Sequence, residues 1–139
     1  MSDFIATNIW LVILWFMSLG MLVLPSILKI TGGYKEVGTT EATRLMNEAN
    51  TLILDVRSQA EFSAGHIGRA KHIPVDQLLK RMNEVEKSKS EPVLVYCKSG
   101  QRASMACRLL KKAGFTQLFN LAGGINAWVQ ADLPIEKNE

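Results

Sequence analysis

The fold of this chain is decided by residues 93–102, which read Val-Leu-Val-Tyr-Cys-Lys-Ser-Gly-Gln-Arg. The stretch follows Pro92, which does not fit inside a helix, and its first four residues are apolar without a polar break. Such a run is typical of a buried strand in a parallel sheet, so Cys97 is predicted at the carboxyl end of a strand. Residues 103–112 are rich in helix formers and precede Gly114, which predicts a helix directly after the loop.

A loop between a strand and the start of a helix is suited to bind an anion, because free backbone N–H groups and the positive end of the helix dipole converge there. Residues 97–112 contain five basic side chains and no acidic one, which also favours a thiolate and an anionic substrate. The alternative is a structural cysteine at the end of a core strand, since free cysteine is often buried. The polar neighbours Lys98 and Arg102 favour a reactive cysteine, so Cys97 is the candidate nucleophile.

Three stretches resemble the rhodanese family of single-domain sulfurtransferases. The first is the six-residue loop from Cys97 to Arg102. The second comprises Leu54-Asp55-Val56-Arg57, Glu61-Phe62, Gly65-His66-Ile67, Gly68-Arg69-Ala70 and Ile73-Pro74; the third comprises Leu121-Ala122-Gly123-Gly124-Ile125 and Ala127-Trp128. They occur in the family's order between about Lys35 and Pro134. The resemblance implies an α/β fold, a rhodanese-like domain with a parallel sheet flanked by helices, and the alternation of apparent strands and helices favours the same class.

The resemblance also implies covalent catalysis by Cys97, without a cofactor and without a metal. The thiolate would take sulfane sulfur from a small anionic donor such as thiosulfate, or from a persulfide, and hold it as a cysteine persulfide. It would then pass the sulfur to a thiol, a protein or another nucleophilic acceptor. The predicted active-site loop and anion-binding residues are Lys98, Ser99, Gly100, Gln101 and Arg102, with Lys98 and Arg102 orienting the donor.

Two other functions compete with this interpretation. Protein tyrosine phosphatases and their rhodanese-like relatives place five residues between the cysteine and the arginine of a similar loop. Here four residues separate Cys97 from Arg102, and the smaller ring suits one sulfur atom better than a phosphoryl group. The second alternative is a non-catalytic, membrane-tethered binding module, against which the intact Cys97 and Arg102 argue.

Three residues outside the loop are predicted to support it structurally: Asp55, Arg57 and Glu61. Arg57 is expected to pair with Glu61, and Asp55 to brace the adjacent loops through backbone N–H groups, because a free carboxylate beside the loop would oppose anion binding. Single histidines and tryptophans are more often structural than catalytic, so His66, His72 and Trp128 are predicted to be structural, and Cys107 a buried thiol.

Composition excludes several classes of protein. The net charge of +3 is too small and too dispersed to indicate a nucleic-acid partner. Two cysteines without a C-x-x-C motif and two histidines indicate neither a structural zinc site nor a disulfide framework. A free thiol kept for chemistry favours a reducing compartment.

An uncharged segment near the amino terminus predicts a membrane anchor. Residues 9–28 carry no charge and, at about 1.5 Å per residue, span the roughly 30 Å hydrocarbon core of a bilayer. The rivals are a cleavable signal peptide, which should carry a basic leading region and an A-x-A site, and a buried core helix. Lys29 and Lys35 follow the segment and no basic residue precedes it, so the domain is predicted on the cytoplasmic side of a bacterial inner membrane.

The predicted organisation has five parts. Residues 1–8 are a short tail, 9–29 one transmembrane helix in contact with the lipid bilayer, 30–34 a linker, 35–134 the domain and 135–139 a tail. Other membrane proteins are candidate partners of such a tethered domain. Within the domain, strands are predicted at 35–37, 52–56, 71–73, 93–96 and 117–121. Helices are predicted at 40–49, 58–62, 74–82, 103–112 and 125–129, with a solvated loop at 83–91.

Overall fold

The structure, a computed structural model, describes residues 1–31, 33–48 and 50–137, without the side chains of residues 28–31. The chain divides into two compact units, Met1–Gly32 and Gly33–Glu139.

The amino-terminal unit consists of two helices, α1 (Ser2–Thr7) and α2 (Ile9–Thr31). At Asn8 the side-chain Nδ2 donates to the carbonyl of Phe4 at 2.8 Å. Large apolar side chains are exposed along α2, among them Trp10, Leu14 and Leu22. By length and composition the segment Ile9–Ile27 can cross a bilayer, a property it shares with the apolar part of a signal sequence.

The second unit is built on a parallel sheet of five strands in the order β1-β5-β4-β2-β3. The strands are β1 (Lys35–Val37), β2 (Leu52–Asp55), β3 (Lys71–His72), β4 (Pro92–Tyr96) and β5 (Gln117–Leu121). The apolar strand β4 lies at the centre, and Val93 to Tyr96 have no exposed surface. A strand buried on both faces needs helices above and below it, which explains its unbroken apolar sequence.

Four helices accompany the sheet: α3 (Thr39–Met46), α4 (Gln59–Ala64), α5 (Gln101–Lys112) and α6 (Gly124–Gln130). Successive side chains of β4 point to opposite faces of the sheet and therefore enter different cores. Val93 and Val95 pack with the buried side of α5, whereas Leu94 and Tyr96 pack with residues of α3 and α6. The α/β fold with a parallel sheet between helices is confirmed, and Cys97 follows the central strand.

The predicted helix at residues 74–82 is wrong. The segment forms a 3₁₀ turn at Val75–Gln77, and two further 3₁₀ turns follow at Met82–Glu84 and Glu86–Ser88. Val75 donates its N–H to the carbonyl of Val56 at 3.1 Å, and i→i+3 bonds such as that from Leu78 to Val75 follow. The buried Leu78 and Val85 have helical spacing, but 3₁₀ turns bury the same side chains. The predicted loop at 83–91 is accordingly ordered in part.

The other boundaries differ from the prediction by a few residues. Helix α3 ends at Met46, earlier than predicted, and Ala49 lies outside the described residues. In the linker, residue 32 is also outside them. Glu136, in the predicted tail 135–139, exchanges two backbone hydrogen bonds of 2.8 and 2.7 Å with His66. That tail is therefore bound to the domain as far as Glu136. Residues 138–139 lie outside the residues that the structure describes.

Candidate active site

The candidate nucleophile lies at the carboxyl end of β4, where parallel α/β sheets usually bind their ligands. The Sγ atom of Cys97 accepts a hydrogen bond of 3.0 Å from the backbone N–H of Gly100. Gly100 caps α5 with φ +113°, in the left-handed region that favours glycine. Because of this turn, the loop bends back and directs a main-chain donor at the sulfur, as a site for a sulfur anion requires.

The amino terminus of α6 holds the loop from the other side. The N–H of Ile125 donates to the carbonyl of Cys97 at 2.8 Å, and the N–H of Asn126 donates to the carbonyl of Lys98 at 3.2 Å. Gly124 makes this approach possible, because a Cβ atom there would lie only 2.3 Å from the carbonyl oxygen of Cys97. The sequence places Gly123 and Gly124 directly before the predicted last helix, but it does not show that their turn holds the cysteine loop.

Arg102 is bound by Glu61 of α4. Its Nη1 and Nη2 atoms donate to the two carboxylate oxygens at 2.7 and 3.0 Å. These bonds, more than any other contact, lower the pKa of Glu61 to about 2, and they raise the pKa of Arg102. Glu61 also completes a capping box with Ser58 at the start of α4, so one carboxylate fixes both the helix and the arginine. Within the described residues, the other three of its five guanidinium N–H groups form no hydrogen bond and stay available to a ligand.

The predicted pair between Arg57 and Glu61 is wrong, because Arg57 binds Asp55. The Nη2 atom of Arg57 lies 2.7 Å from Oδ2 of Asp55 and donates also to the carbonyl of Gly65 at 2.6 Å. Burial lowers the pKa of Arg57, but the bonds to Asp55 outweigh it and the pKa is raised. Glu61 reaches Arg102 instead because it is part of α4, whereas Asp55 and Arg57 lie two residues apart at the end of β2.

Asp55 accepts the backbone N–H of Arg57 at 2.9 Å, which is a bracing bond of the expected kind. The buried hydroxyl of Tyr96, just before the nucleophile, accepts the N–H of Ile67 at 3.0 Å. Burial first, and Asp55 second, raise the pKa of Tyr96, so the phenol stays neutral. These bonds fix the backbone on which the cysteine loop is built.

The charge around Cys97 is more balanced than the basic sequence of the loop predicts. Arg57 and Arg102 each have a carboxylate partner. Lys98 is exposed, and within the described part of the chain it forms no ion pair. An incoming anion therefore meets one unpaired lysine and one shared arginine in the loop itself. Ser99 and Gln101 are exposed beside them.

The remaining candidates have structural contacts. His66 Nδ1 lies 3.0 Å from the carbonyl of Phe62, and His72 Nε2 lies 2.7 Å from the carbonyl of Arg57. The buried Trp128 donates to the carbonyl of Pro134 at 2.9 Å. Cys107 is fully buried, and burial, followed by the influence of Cys97, raises the pKa of its thiol to about 12. A role as a second reactive thiol is therefore disfavoured.

Sequence reasoning missed two polar residues that bind the loop, Ser104 and Asn120. Both donate to the carbonyl of Gly100, at 2.9 and 3.2 Å respectively. The signal was available, because Asn120 interrupts the apolar run Leu118-Phe119-Asn120-Leu121 of a buried strand. In the described ranges, no three histidine, cysteine or acidic side chains are grouped as a metal site would need.

Comparisons with known proteins find relatives along most of the chain. The family model of the rhodanese-like domain matches residues 38–131. The chain is 31% identical over 138 residues to the uncharacterized protein YibN of Escherichia coli K12, covering 99% of this chain and 96% of that protein. It is 33% identical over 95 residues to the thiosulfate sulfurtransferase GlpE of Coxiella burnetii, covering 68% and 87%. A rhodanese-like domain protein of Staphylococcus aureus superposes with a TM-score of 0.66 at 29% identity, covering 76% and 99%.

Proposed function

The chain belongs to the rhodanese-like domain family, and on that premise we propose that it is a sulfurtransferase that carries sulfane sulfur as a persulfide on Cys97. The observation that carries the proposal is the bond of 3.0 Å from the Gly100 N–H to the Cys97 sulfur, in a loop at the end of the central strand. Relatives named as sulfurtransferases, such as that of Allochromatium vinosum at 38% identity over 92 residues, support the same class of reaction.

The reaction consists of two displacements at sulfur. In the first, the Cys97 thiolate attacks the outer sulfur of thiosulfate, a new S–S bond forms, and the old S–S bond breaks as sulfite leaves with its electron pair. In the second, an acceptor thiolate attacks the outer sulfur of the Cys97 persulfide. The acceptor leaves as a persulfide, and the Cys97 thiolate is restored with the electron pair of the broken bond. A persulfide donor enters the first step in the same way, with its thiolate as the leaving group.

The loop stabilises the anionic forms of this cycle with main-chain donors. The N–H of Gly100 faces the sulfur in the resting site, and the start of α5 adds the positive end of a helix dipole. Lys98 and the free N–H groups of Arg102 orient the departing anion. Asp55, Arg57 and Glu61 have a supporting role. Arg57 binds Asp55 and the carbonyl of Gly65, and Glu61 binds Arg102.

We also propose that residues 9–29 anchor the domain in a bilayer, with residues 35–134 in the cytoplasm. The length of the apolar helix supports the anchor, and Lys29 and Lys35 on one side of it support the orientation. Tethering would raise the local concentration of the domain near membrane-bound partners. A cytoplasmic position would keep Cys97 in a reducing compartment.

Mass spectrometry of the protein isolated without reductant tests the function directly. We expect a Cys97 peptide heavier by the mass of one sulfur atom, about 32 Da, after incubation with thiosulfate. Cys97→Ser should abolish both the adduct and thiosulfate:cyanide sulfur transfer, while Cys107→Ser should keep most of the activity. A folded protein without the adduct would favour the non-catalytic binding module. Aryl phosphate hydrolysis above the Cys97→Ser background would favour the phosphatase.

A further inference from the structure

Asn120 is a polar residue in the core of the domain. It is the fourth residue of β5 and only 1% exposed, between the partly buried Phe119 and the fully buried Leu121. Its Nδ2 atom donates two hydrogen bonds, to the carbonyl of Gly100 at 3.2 Å and to Oγ of Ser104 at 3.0 Å. Both bonds are directed to the start of α5, where the cysteine loop ends.

The carbonyl of Gly100 is the point on which these bonds converge. It accepts from Asn120 Nδ2, from the hydroxyl of Ser104 at 2.9 Å and from the backbone N–H of Ser104 at 3.0 Å. The N–H of the same glycine donates to Cys97 Sγ at 3.0 Å. The Gly100 carbonyl lies in the peptide plane shared with Gln101, and the Gly100 N–H lies in the plane shared with Ser99. Bonds that hold the carbonyl fix one of the two planes that meet at the Cα atom of this conformationally free glycine, and the bond to the sulfur then has to hold only the other.

The burial of Asn120 is unfavourable for stability alone. Its Oδ1 atom is buried and has no hydrogen-bond partner among the described residues. A buried amide with an unpaired acceptor destabilises a fold relative to an apolar side chain of similar size. The amide does, however, donate hydrogen bonds to Gly100 and Ser104, at the end of the loop that contains the cysteine.

We propose that Asn120, together with Ser104, is a positioning residue: it holds the Gly100 carbonyl and, through the Gly100 backbone, keeps the Gly100 N–H directed at the sulfur of Cys97. Asn120 acts through Gly100 and does not touch the sulfur or the substrate. The catalytic role of Asn120 rests on the proposed function. The hydrogen bond from Gly100 to the sulfur, however, also affects the reactivity of the free Cys97 thiol. The two can therefore be tested separately.

The test is the rate of Cys97 alkylation by iodoacetamide between pH 5 and 10, values chosen to bracket the titration of ordinary thiols near ~8.5. The full-length protein is alkylated, and the peptide that contains Cys97 is then quantified by mass spectrometry. Alkylation of Cys107 does not interfere, because it is measured on a different peptide. Asn120→Leu removes the donor and keeps a similar volume. We expect alkylation at neutral pH to slow by about tenfold and the pH profile to move to higher pH, as loss of a donor to an anion should cause.

The matched control is Gln117→Leu. Gln117 is the first residue of the same strand, and the substitution removes the hydrogen bond that its exposed side-chain amide donates to the carbonyl of Ser90. Its alkylation profile should equal that of the wild-type protein. Ser104→Ala removes another donor to the Gly100 carbonyl and should move the profile in the same direction as Asn120→Leu. If Asn120→Leu does not fold, Ser104→Ala decides the matter. A folded Asn120→Leu, or in its place Ser104→Ala, with the profile of Gln117→Leu would overturn the proposal.

Sulfur transfer by the same variants separates this inference from the proposed function. If Cys97 transfers sulfur, Asn120→Leu should lower kcat for thiosulfate with little change in KM, because the donor-binding groups stay in place. If the wild-type protein transfers no sulfur but the alkylation profile moves, the positioning role holds and the sulfurtransferase proposal fails.

Discussion

Replacement of Gly124 by alanine should loosen the cysteine loop. A Cβ atom at this position would lie 2.3 Å from the carbonyl oxygen of Cys97 and 2.5 Å from the carbonyl carbon and oxygen of Lys98. Ordinary contact requires at least about 3.4 Å, so the loop and α6 must separate by about 1 Å. The three nearest atoms all belong to the backbone, so rotation of a side chain cannot relieve these contacts.

The expected cost has two parts. Gly124 has φ +58°, and an alanine in the left-handed region costs about 1–2 kcal/mol. A separation of about 1 Å would also break the bonds from Ile125 and Asn126 to the loop, which are now 2.8 and 3.2 Å long. Each such bond contributes about 1 kcal/mol to stability. We therefore expect Gly124→Ala to lower the free energy of unfolding by about 3–4 kcal/mol.

Gly114→Ala is the matched control for backbone strain. Gly114 has φ +102°, but a Cβ atom there meets no atom within 4 Å. It should cost only the backbone part, about 1–2 kcal/mol. Urea unfolding of both variants gives the difference in stability, and Cys97 persulfide formation gives the state of the loop. Equal unfolding free energies, or full persulfide formation by Gly124→Ala, would refute the role given to the close approach.

Three further predictions concern Glu61, Arg102 and the anchor. The low pKa of Glu61, about 2, means that its contribution to stability is full above its ordinary value of 4.5 and is lost as the pH falls towards 2. The wild-type protein should therefore be more stable to unfolding than Glu61→Gln by about 1 kcal/mol at pH 6, and this difference should shrink in acid. A difference that does not depend on pH would contradict the ion pair between Glu61 and Arg102. Arg102→Lys should raise the KM for thiosulfate, because an ammonium lacks the planar fork, and an unchanged KM would limit Arg102 to shaping the loop. Removal of residues 1–33 should give a soluble protein that still forms the Cys97 persulfide, while reporters fused after Glu139 should be active only in the cytoplasm if the orientation is right.

The sequence predicted the fold well because its strongest signals are local. The apolar run before Cys97, the helix formers after it and the apolar strand at 52–55 each specify an element without help from distant residues. The helix predicted at 74–82 was wrong because a proline such as Pro74 can begin a 3₁₀ turn as well as an α-helix, and the local sequence does not distinguish the two.

Long-range pairing in the site could not be predicted in the same way. Arg57 has two nearby carboxylates in the sequence, and the sequence does not say which one it binds. The choice depends on α4, which turns Glu61 towards an arginine 41 residues further along the chain. The contact of Asn120 with Gly100 likewise depends on the neighbouring positions of β5 and β4 in the sheet. Such contacts follow from topology, and only the folded chain reveals them.

The contacts that hold the cysteine loop also determine when it can form during synthesis. One partner of the loop, Glu61, lies 41 residues before Arg102 in the chain. The other partner, the start of α6, lies after the loop. The loop therefore has a high contact order, and loop-closure entropy delays such contacts. A nascent chain released only as far as α5 would contain Cys97 and its strand but not Ile125 and Asn126. The thiol should consequently gain its final reactivity only when nearly the whole domain has left the ribosome.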